Sequence, residues 1–126
     1  LAEQLRRLPG RRFVFTNGAR GYAGRVLDRL GVADCFDGVF AIEDGDLTPK
    51  PAPSAFRRMI ERFDFEPRSA AFFEDTPRNL EPAKALGMAT ILIGDGNGHR
   101  LGDHIDHTAP DLLDFLTALT FKDPDA

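Results

Sequence analysis

The stretch AAFFEDTPRNL, Ala70 to Leu80, places two carboxylates directly after a four-residue apolar run. The apolar run predicts a buried strand, and the Thr-Pro that follows it is typical of a helix start. Buried carboxylates need a cation or several hydrogen-bond donors, and hard oxygen ligands at a strand end are what Mg²⁺ accepts. The pair Glu74 and Asp75 is equally typical of acidic residues at a helix N-terminus, so both interpretations stay open on this stretch alone.

Apolar runs and helical patterns alternate on both sides of this stretch. The pattern predicts strands at residues 12–16, 38–42, 70–73 and 89–93, and helices at 1–8, 19–30, 54–63, 77–86 and 109–119. This order predicts an α/β fold in one domain over residues 1–126, a Rossmann-like parallel sheet in a three-layer α/β/α arrangement. Because such sheets bind ligands at the carboxyl ends of their strands, the polar residues after each strand are the functional candidates.

Thr16-Asn17-Gly18 follows the first predicted strand and leads into a predicted helix. A hydroxyl and free backbone N–H groups at this place suit an anion. The simpler interpretation, favoured on these residues alone, is that Asn17 caps the helix.

Lys50 lies between Pro49 and Pro51, which stiffen its backbone. A rigidly presented ammonium suits the charge of a phosphoryl group, although an exposed lysine is the more ordinary outcome for this residue alone. The functional interpretation becomes the favoured one because Thr16-Asn17, Lys50 and Glu74-Asp75 occur together on successive β/α units. An anion cradle, a cation and a carboxylate pair for a metal are three parts of a phosphoryl-transfer site.

Three segments together resemble the haloacid dehalogenase-like phosphohydrolase superfamily. RRFVFTNG (11–18) resembles its second motif, PKPAPSAF (49–56) its third, and AAFFEDTPRNLEPAKALGM (70–88) its fourth. The resemblance extends over about residues 8–119, and within the superfamily it is similar to bacterial pyrimidine 5′-nucleotidases. It therefore implies a hydrolase of a small phosphorylated metabolite, a nucleoside monophosphate. Two alternatives stay open: a phosphatase for phosphoglycolate or sugar phosphates, and a non-catalytic binding domain on the same core.

The resemblance also implies a role for each matching residue. Thr16 would bind phosphate through its hydroxyl and Asn17 through its backbone N–H. Lys50 would balance the charge of the nucleophile and the phosphoryl group. Asp75 would bind Mg²⁺, with Glu74 binding the metal directly or through water. The metal pair favours a phosphatase over a dehalogenase.

One departure from the superfamily concerns its first motif, an Asp-x-Asp after a strand that precedes the second motif. None of the fifteen residues before Thr16 is an aspartate. The resemblance thus implies that the nucleophilic aspartate lies outside this chain, which corresponds to the C-terminal part of the core with motifs two to four, and that the first strand and the helical cap are missing. We expect little or no phosphatase activity from the chain alone. A preceding segment of a longer protein, or a homo-oligomer with a swapped strand, would supply the missing strand.

The segment Asp44-Gly45-Asp46-Leu47-Thr48 spells the missing motif but stands at the wrong place. It follows the second predicted strand, toward the sheet edge, and Lys50 comes only two residues after Thr48. One short loop can hardly place Asp44 and Lys50 on opposite sides of a phosphoryl group. The favoured interpretation is a polar turn.

The composition limits the classes of binding partner and the cellular compartment that we expect. The formal net charge of −4 gives no basic field for nucleic acid, and no apolar run is long enough to span a membrane. The single cysteine, Cys35, fits a reducing compartment, so we expect a cytoplasmic protein. The loop Gly94 to Gly98 lacks the pattern of a phosphate or calcium loop, and the three histidines lack the spacing of a zinc site.

Overall fold

The computed structural model describes residues 1–95 and 102–120, in which short strands and helices alternate along the chain. The helices are α1 (Ala2–Arg7), α2 (Arg20–Arg29), α3 (Pro53–Phe63), α4 (Leu80–Ala85) and α5 (Leu112–Thr120). The strands are β1 (Phe13–Phe15), β2 (Gly38–Phe40), β3 (Ala71–Glu74), β4 (Ala89–Ile93) and β5 (His107–Ala109). Within these ranges no helix has the length and apolar character needed to cross a membrane.

Every strand pairing is parallel, and the strands form two groups. β1 pairs with β2, while β3, β4 and β5 pair in that order. The predicted α/β fold with parallel strands is confirmed. Among the described strands no pairing joins β1 to β3, so the sheet is split between the strand that ends at Phe15 and the strand that ends at Glu74.

Helices pack on both faces of the strands, in the predicted three-layer arrangement. Neighbouring residues of β3 belong to opposite faces, with Phe72 in the cluster formed by α3 and α4, and Phe73 in the cluster formed by α1 and α5. The first cluster has at its centre Phe40, Phe56, Met59, Ala83 and Met88, and the second has Leu5, Val32, Cys35 and Leu116. Because Phe15 and Phe72 pack against the same first cluster, apolar side chains join the two halves that backbone pairing leaves separate.

The structure differs from the sequence predictions by two residues or more at three element boundaries. β2 ends two residues early because residues 42–45 form a 3₁₀ turn. The helix predicted at 77–86 begins with a 3₁₀ turn, and its α-helical part is Leu80–Ala85. The last helix was predicted from residue 109, but residues 107–109 pair with β4 as an unpredicted fifth strand, so the helix begins at Leu112.

Candidate active site

The side chain of Lys50 connects the ends of β1 and β3 across the split in the sheet. Its Nζ donates to the carbonyl oxygen of Phe15 at 2.9 Å and to Oε1 of Glu74 at 2.6 Å. The rings of Phe15 and Phe72 lie 5.0 and 5.5 Å from Nζ. The side chains of Lys50 and Glu74 are 9% and 8% exposed. The buried ammonium of Lys50 therefore connects the ends of β1 and β3, which the sequence predicted to lie at the same site.

The carboxylate of Glu74 is saturated with hydrogen-bond donors. Oε1 accepts from Lys50 Nζ and, at 3.3 Å, from Asn79 Nδ2. Oε2 accepts from the backbone N–H groups of Asp75 at 2.9 Å and Thr76 at 3.1 Å. Because an ionised carboxylate offers about four lone-pair positions, these four donors fill it. A direct metal bond, or a hydrogen bond from a metal-bound water, would require Glu74 to release one of these donors.

The pKa values of the neighbouring carboxyl groups of Glu74 and Asp75 are shifted in opposite directions. Burial opposes ionisation of Glu74, but the Asp75 side chain, the charge and hydrogen bond of Lys50 and the Thr76 N–H together hold the pKa of Glu74 below its ordinary value. The pKa of Asp75 is raised, first by its hydrogen bond with Glu74, then by burial and by the charge of Glu74. Compared with the isolated groups, the fold favours a negative charge on Glu74 and disfavours one on Asp75. A cation at Asp75 would favour ionisation of the second carboxyl group.

Asp75 is the carboxylate that remains available for a metal. Its side chain is exposed, and its Oδ1 lies 3.4 Å from the Thr76 hydroxyl. In the part of the chain that the structure describes, no group of three or more metal-ligating side chains occurs. Mg²⁺ is usually held by one or two carboxylates together with phosphate oxygens and water, so Asp75 with Glu74 behind it fits Mg²⁺ as part of a site.

The hydroxyl of Thr16 and the side-chain amide of Asn17, which follow β1, have different partners. Gly18 N–H donates to Thr16 Oγ1 at 3.0 Å, and the hydroxyl keeps its own hydrogen for a ligand oxygen. The Asn17 side chain hydrogen-bonds the backbone of Lys50. The interpretation of Asn17 as the cap of α2 is wrong, because the Arg20 N–H at the start of that helix donates to the Glu43 carboxylate at 2.9 and 3.1 Å.

The aspartates that spell the missing motif belong to the scaffold. Asp44 Oδ2 accepts from Ala41 N–H at 2.8 Å and pairs with Arg20, and Oδ1 lies 3.5 Å from Arg62. Asp46 pairs with Arg58 on α3 at 2.8 Å. These contacts hold the turn after β2 against α2 and α3, in keeping with the prediction of a polar turn.

The sequence reasoning missed two functional contacts. Asn79 is only 7% exposed and donates to Glu74, and the available signal was its place five residues after Glu74, in the turn that follows the strand. The contact between Asn17 and Lys50 could not be predicted from the sequence, because no pattern of spacing relates residues that are 33 positions apart.

The remaining candidates from the sequence are the Gly94–Gly98 loop and the three histidines. In the Gly94–Gly98 loop only Gly94 and Asp95 are described, and His99 is not. His104 Nε2 lies 2.9 Å from the Pro77 carbonyl oxygen, and His107 lies in β5.

Comparison with known proteins gives consistent matches. The family described as haloacid dehalogenase-like hydrolase matches residues 1–87. The chain is 38% identical over 71 residues to enolase-phosphatase E1 of Frankia alni, covering 55% of this chain and 29% of the relative. It is 28% identical over 109 residues to phosphoglycolate phosphatase of Pseudomonas putida, covering 84% of this chain and 38% of the relative.

A solved structure agrees in fold. The crystal structure of a haloacid dehalogenase-type phosphatase from Thermococcus onnurineus matches with a TM-score of 0.76 and 29% identity, over 94% of this chain and 54% of that chain. This chain thus spans between about a third and about half of the length of these proteins. Since the family match covers more than half of the 126 residues, the chain belongs to the haloacid dehalogenase-like hydrolases.

Proposed function

We propose that the chain carries the phosphate-binding and metal-binding part of a Mg²⁺-dependent phosphomonoester hydrolase. The observation that carries this proposal is the Lys50 ammonium held between Phe15 O and Glu74 Oε1. An ammonium has three N–H donors, and these contacts use two of them, which leaves one for a phosphate oxygen. The burial of Lys50 strengthens its charge interaction with a bound phosphate, because less water screens it.

In this proposal the residues after β1 and Lys50 bind and orient the phosphoryl group. The hydroxyl of Thr16 and the backbone N–H of Asn17 donate to its oxygens, and Lys50 balances charge that builds up during transfer. Mg²⁺ bound at Asp75 would supply further positive charge next to the same oxygens. The pairing of Lys50 with Glu74 keeps the ammonium in place before a ligand arrives.

The nucleophile comes from outside the 126 residues in this proposal. An aspartate at the end of a strand between β1 and β3 would attack phosphorus and form an aspartyl-phosphate, while the second aspartate of the Asp-x-Asp motif protonates the leaving oxygen to give the alcohol. The same second aspartate would then take a proton from the water that hydrolyses the aspartyl-phosphate. The split in the sheet supports this placement, because β1 and β3 each pair on one side only among the described strands. The strand would come from a longer chain or from a second copy.

For the substrate we propose a pyrimidine nucleoside 5′-monophosphate, on the strength of the sequence resemblance. A second candidate is phosphoglycolate or a sugar phosphate, which the similarity to phosphoglycolate phosphatase favours. Both substrates use the same phosphate contacts and differ in the group beyond the ester oxygen.

A phosphate-release assay with Mg²⁺ tests the proposal on UMP, CMP and phosphoglycolate. We expect no turnover by the chain alone, and turnover when an apolar strand ending in Asp-x-Asp is joined before Leu1, fastest with UMP and CMP. The same extension with Asn-x-Asn is the matched control. Turnover by the chain alone that Asp44→Asn abolishes would contradict the proposal. A folded extended chain that binds phosphate without turnover would favour the non-catalytic binding domain.

A further inference from the structure

The side chain of Asn17 makes two hydrogen bonds with the backbone of a single residue, Lys50. Its Oδ1 accepts from Lys50 N–H at 2.8 Å, and its Nδ2 donates to the Lys50 carbonyl oxygen at 3.3 Å. A primary amide is the side-chain group that offers an acceptor and a donor side by side. Asn17 therefore contacts Lys50 as the backbone of a neighbouring strand would.

The sequence around Lys50 makes this contact hard to replace. Pro49 and Pro51 have no N–H, so Lys50 supplies the single backbone donor of this tripeptide. That donor points to Asn17, directly after β1. At its other end the Lys50 side chain donates to Phe15 O, also on β1. Residues at the end of β1 thus hold both the backbone and the side-chain ammonium of Lys50 in position.

We propose that Asn17 is a positioning residue, whose side-chain amide places the Lys50 ammonium at the end of β1, where its Nζ donates to the Phe15 carbonyl oxygen, and so controls phosphate affinity. The link to phosphate rests on the proposed function, whereas the link to Lys50 stands on the two hydrogen bonds. Aspartate at position 17 keeps the acceptor for Lys50 N–H but loses the donor and turns a negative oxygen toward the Lys50 carbonyl. Alanine loses both contacts.

Amide hydrogen exchange and titration with inorganic phosphate test the inference on the whole chain. We expect Asn17→Ala to speed exchange of the Lys50 amide about fivefold, which corresponds to the loss of the one hydrogen bond that this N–H donates, and to weaken phosphate binding by a similar factor. Asn17→Asp should keep part of the Lys50 protection and still weaken phosphate binding. The Thr16 amide, which donates to Phe40 O at 3.0 Å within the β1–β2 pair, is the internal reference and should be unchanged.

Arg58→Ala is the matched control, because it removes the exposed Arg58–Asp46 pair near the same loop without touching Lys50. Arg58→Ala should change neither the exchange rate of the Lys50 amide nor the affinity for phosphate. An unprotected Lys50 amide in the wild-type chain would overturn the inference, as would equal acceleration at Thr16 and Lys50 in Asn17→Ala. If Asn17→Ala does not fold, the protection of the Lys50 amide in the wild-type chain and the phosphate affinity of Asn17→Asp decide whether Asn17 positions Lys50. Failure of the wild-type chain to bind phosphate would contradict the proposed function, while the exchange rates would still decide the role of Asn17.

Discussion

The Lys50 ammonium lies 2.6 Å from Glu74 Oε1, and both side chains are less than one-tenth exposed. A buried pair of this kind is favourable when further hydrogen bonds satisfy both groups, and three other donors do so for Glu74. The pair also spans the place where the sheet lacks backbone pairing between β1 and β3. It therefore contributes to the fold and presents a cation at the same time.

Replacing Lys50 with methionine should destabilise the chain strongly. Lys50→Met leaves the Glu74 charge buried without its cation, which should cost about 3–5 kcal/mol in the free energy of unfolding. Urea denaturation at pH 7 measures the loss. Arg58→Met, at an exposed ion pair, should cost about 1 kcal/mol or less. Equal losses in the two variants would contradict the structural role of the pair.

Substitutions of Glu74 and Asp75 should affect different properties of the chain. Asp75→Asn should remove the effect of Mg²⁺ on phosphate affinity and leave the fold intact, because Asp75 is exposed. Glu74→Gln should lower the free energy of unfolding by about 1–3 kcal/mol, because it weakens a buried charge-assisted network. Phosphate titrations with and without Mg²⁺, together with urea denaturation, measure both effects. An unchanged Mg²⁺ effect in Asp75→Asn would exclude Asp75 as the metal ligand.

Asp44 should matter for stability and not for phosphate. Asp44→Asn removes the charge that pairs with Arg20 and Arg62, and should cost about 1–2 kcal/mol of unfolding free energy, since the carboxylate is only 13% exposed. Inorganic phosphate should bind with unchanged affinity. A large loss of affinity in this variant, with the fold retained, would return Asp44 to the list of candidate site residues.

Asp106 should make part of the stability depend on acid pH. Hydrogen bonds from the Lys84 ammonium and then from the Thr90 N–H, with smaller contributions from the Thr90 hydroxyl and the Lys84 charge, outweigh desolvation and lower the pKa of Asp106 to about 2. Because the folded pKa lies below the ordinary value of 3.8, the carboxylate stabilises the fold above that value and loses its contribution as the pH falls toward 2. Urea midpoints of wild type and Asp106→Asn should differ at pH 6 and converge near pH 2. Asp28→Asn, at an exposed carboxylate of α2, is the control, and a pH-independent difference for Asp106→Asn would contradict this assignment.

Strands and helices with strong apolar patterns could be predicted from the sequence. The runs before Thr16 and Glu74 became β1 and β3, and their ends meet as expected for parallel strands. β5 could not be predicted, because His107-Thr108-Ala109 has no apolar alternation and becomes a strand only by pairing with β4. Its existence depends on tertiary contacts rather than on local preference.

The sequence also predicted that the ends of β1 and β3 lie close together, but not how the environments of Glu74 and Asp75 differ. Glu74 and Asp75 are adjacent and chemically alike in the sequence, and only the fold shows that one is buried on Lys50 and the other exposed. The sequence also could not show that Asn17 acts on Lys50 through its side chain, because that contact depends on how the loop after β2 returns to β1.

A titration of the folded chain with inorganic phosphate in the presence of Mg²⁺, followed by ³¹P NMR, tests the central claim most directly. The claim is that the ends of β1 and β3 form a phosphate site around Lys50. We predict that the wild-type chain and Asp44→Asn bind phosphate with the same affinity and that Lys50→Met weakens binding at least about tenfold, which corresponds to the loss of one charge-assisted contact. Equal binding by wild type and Lys50→Met, with both folded under the conditions used, would contradict the account.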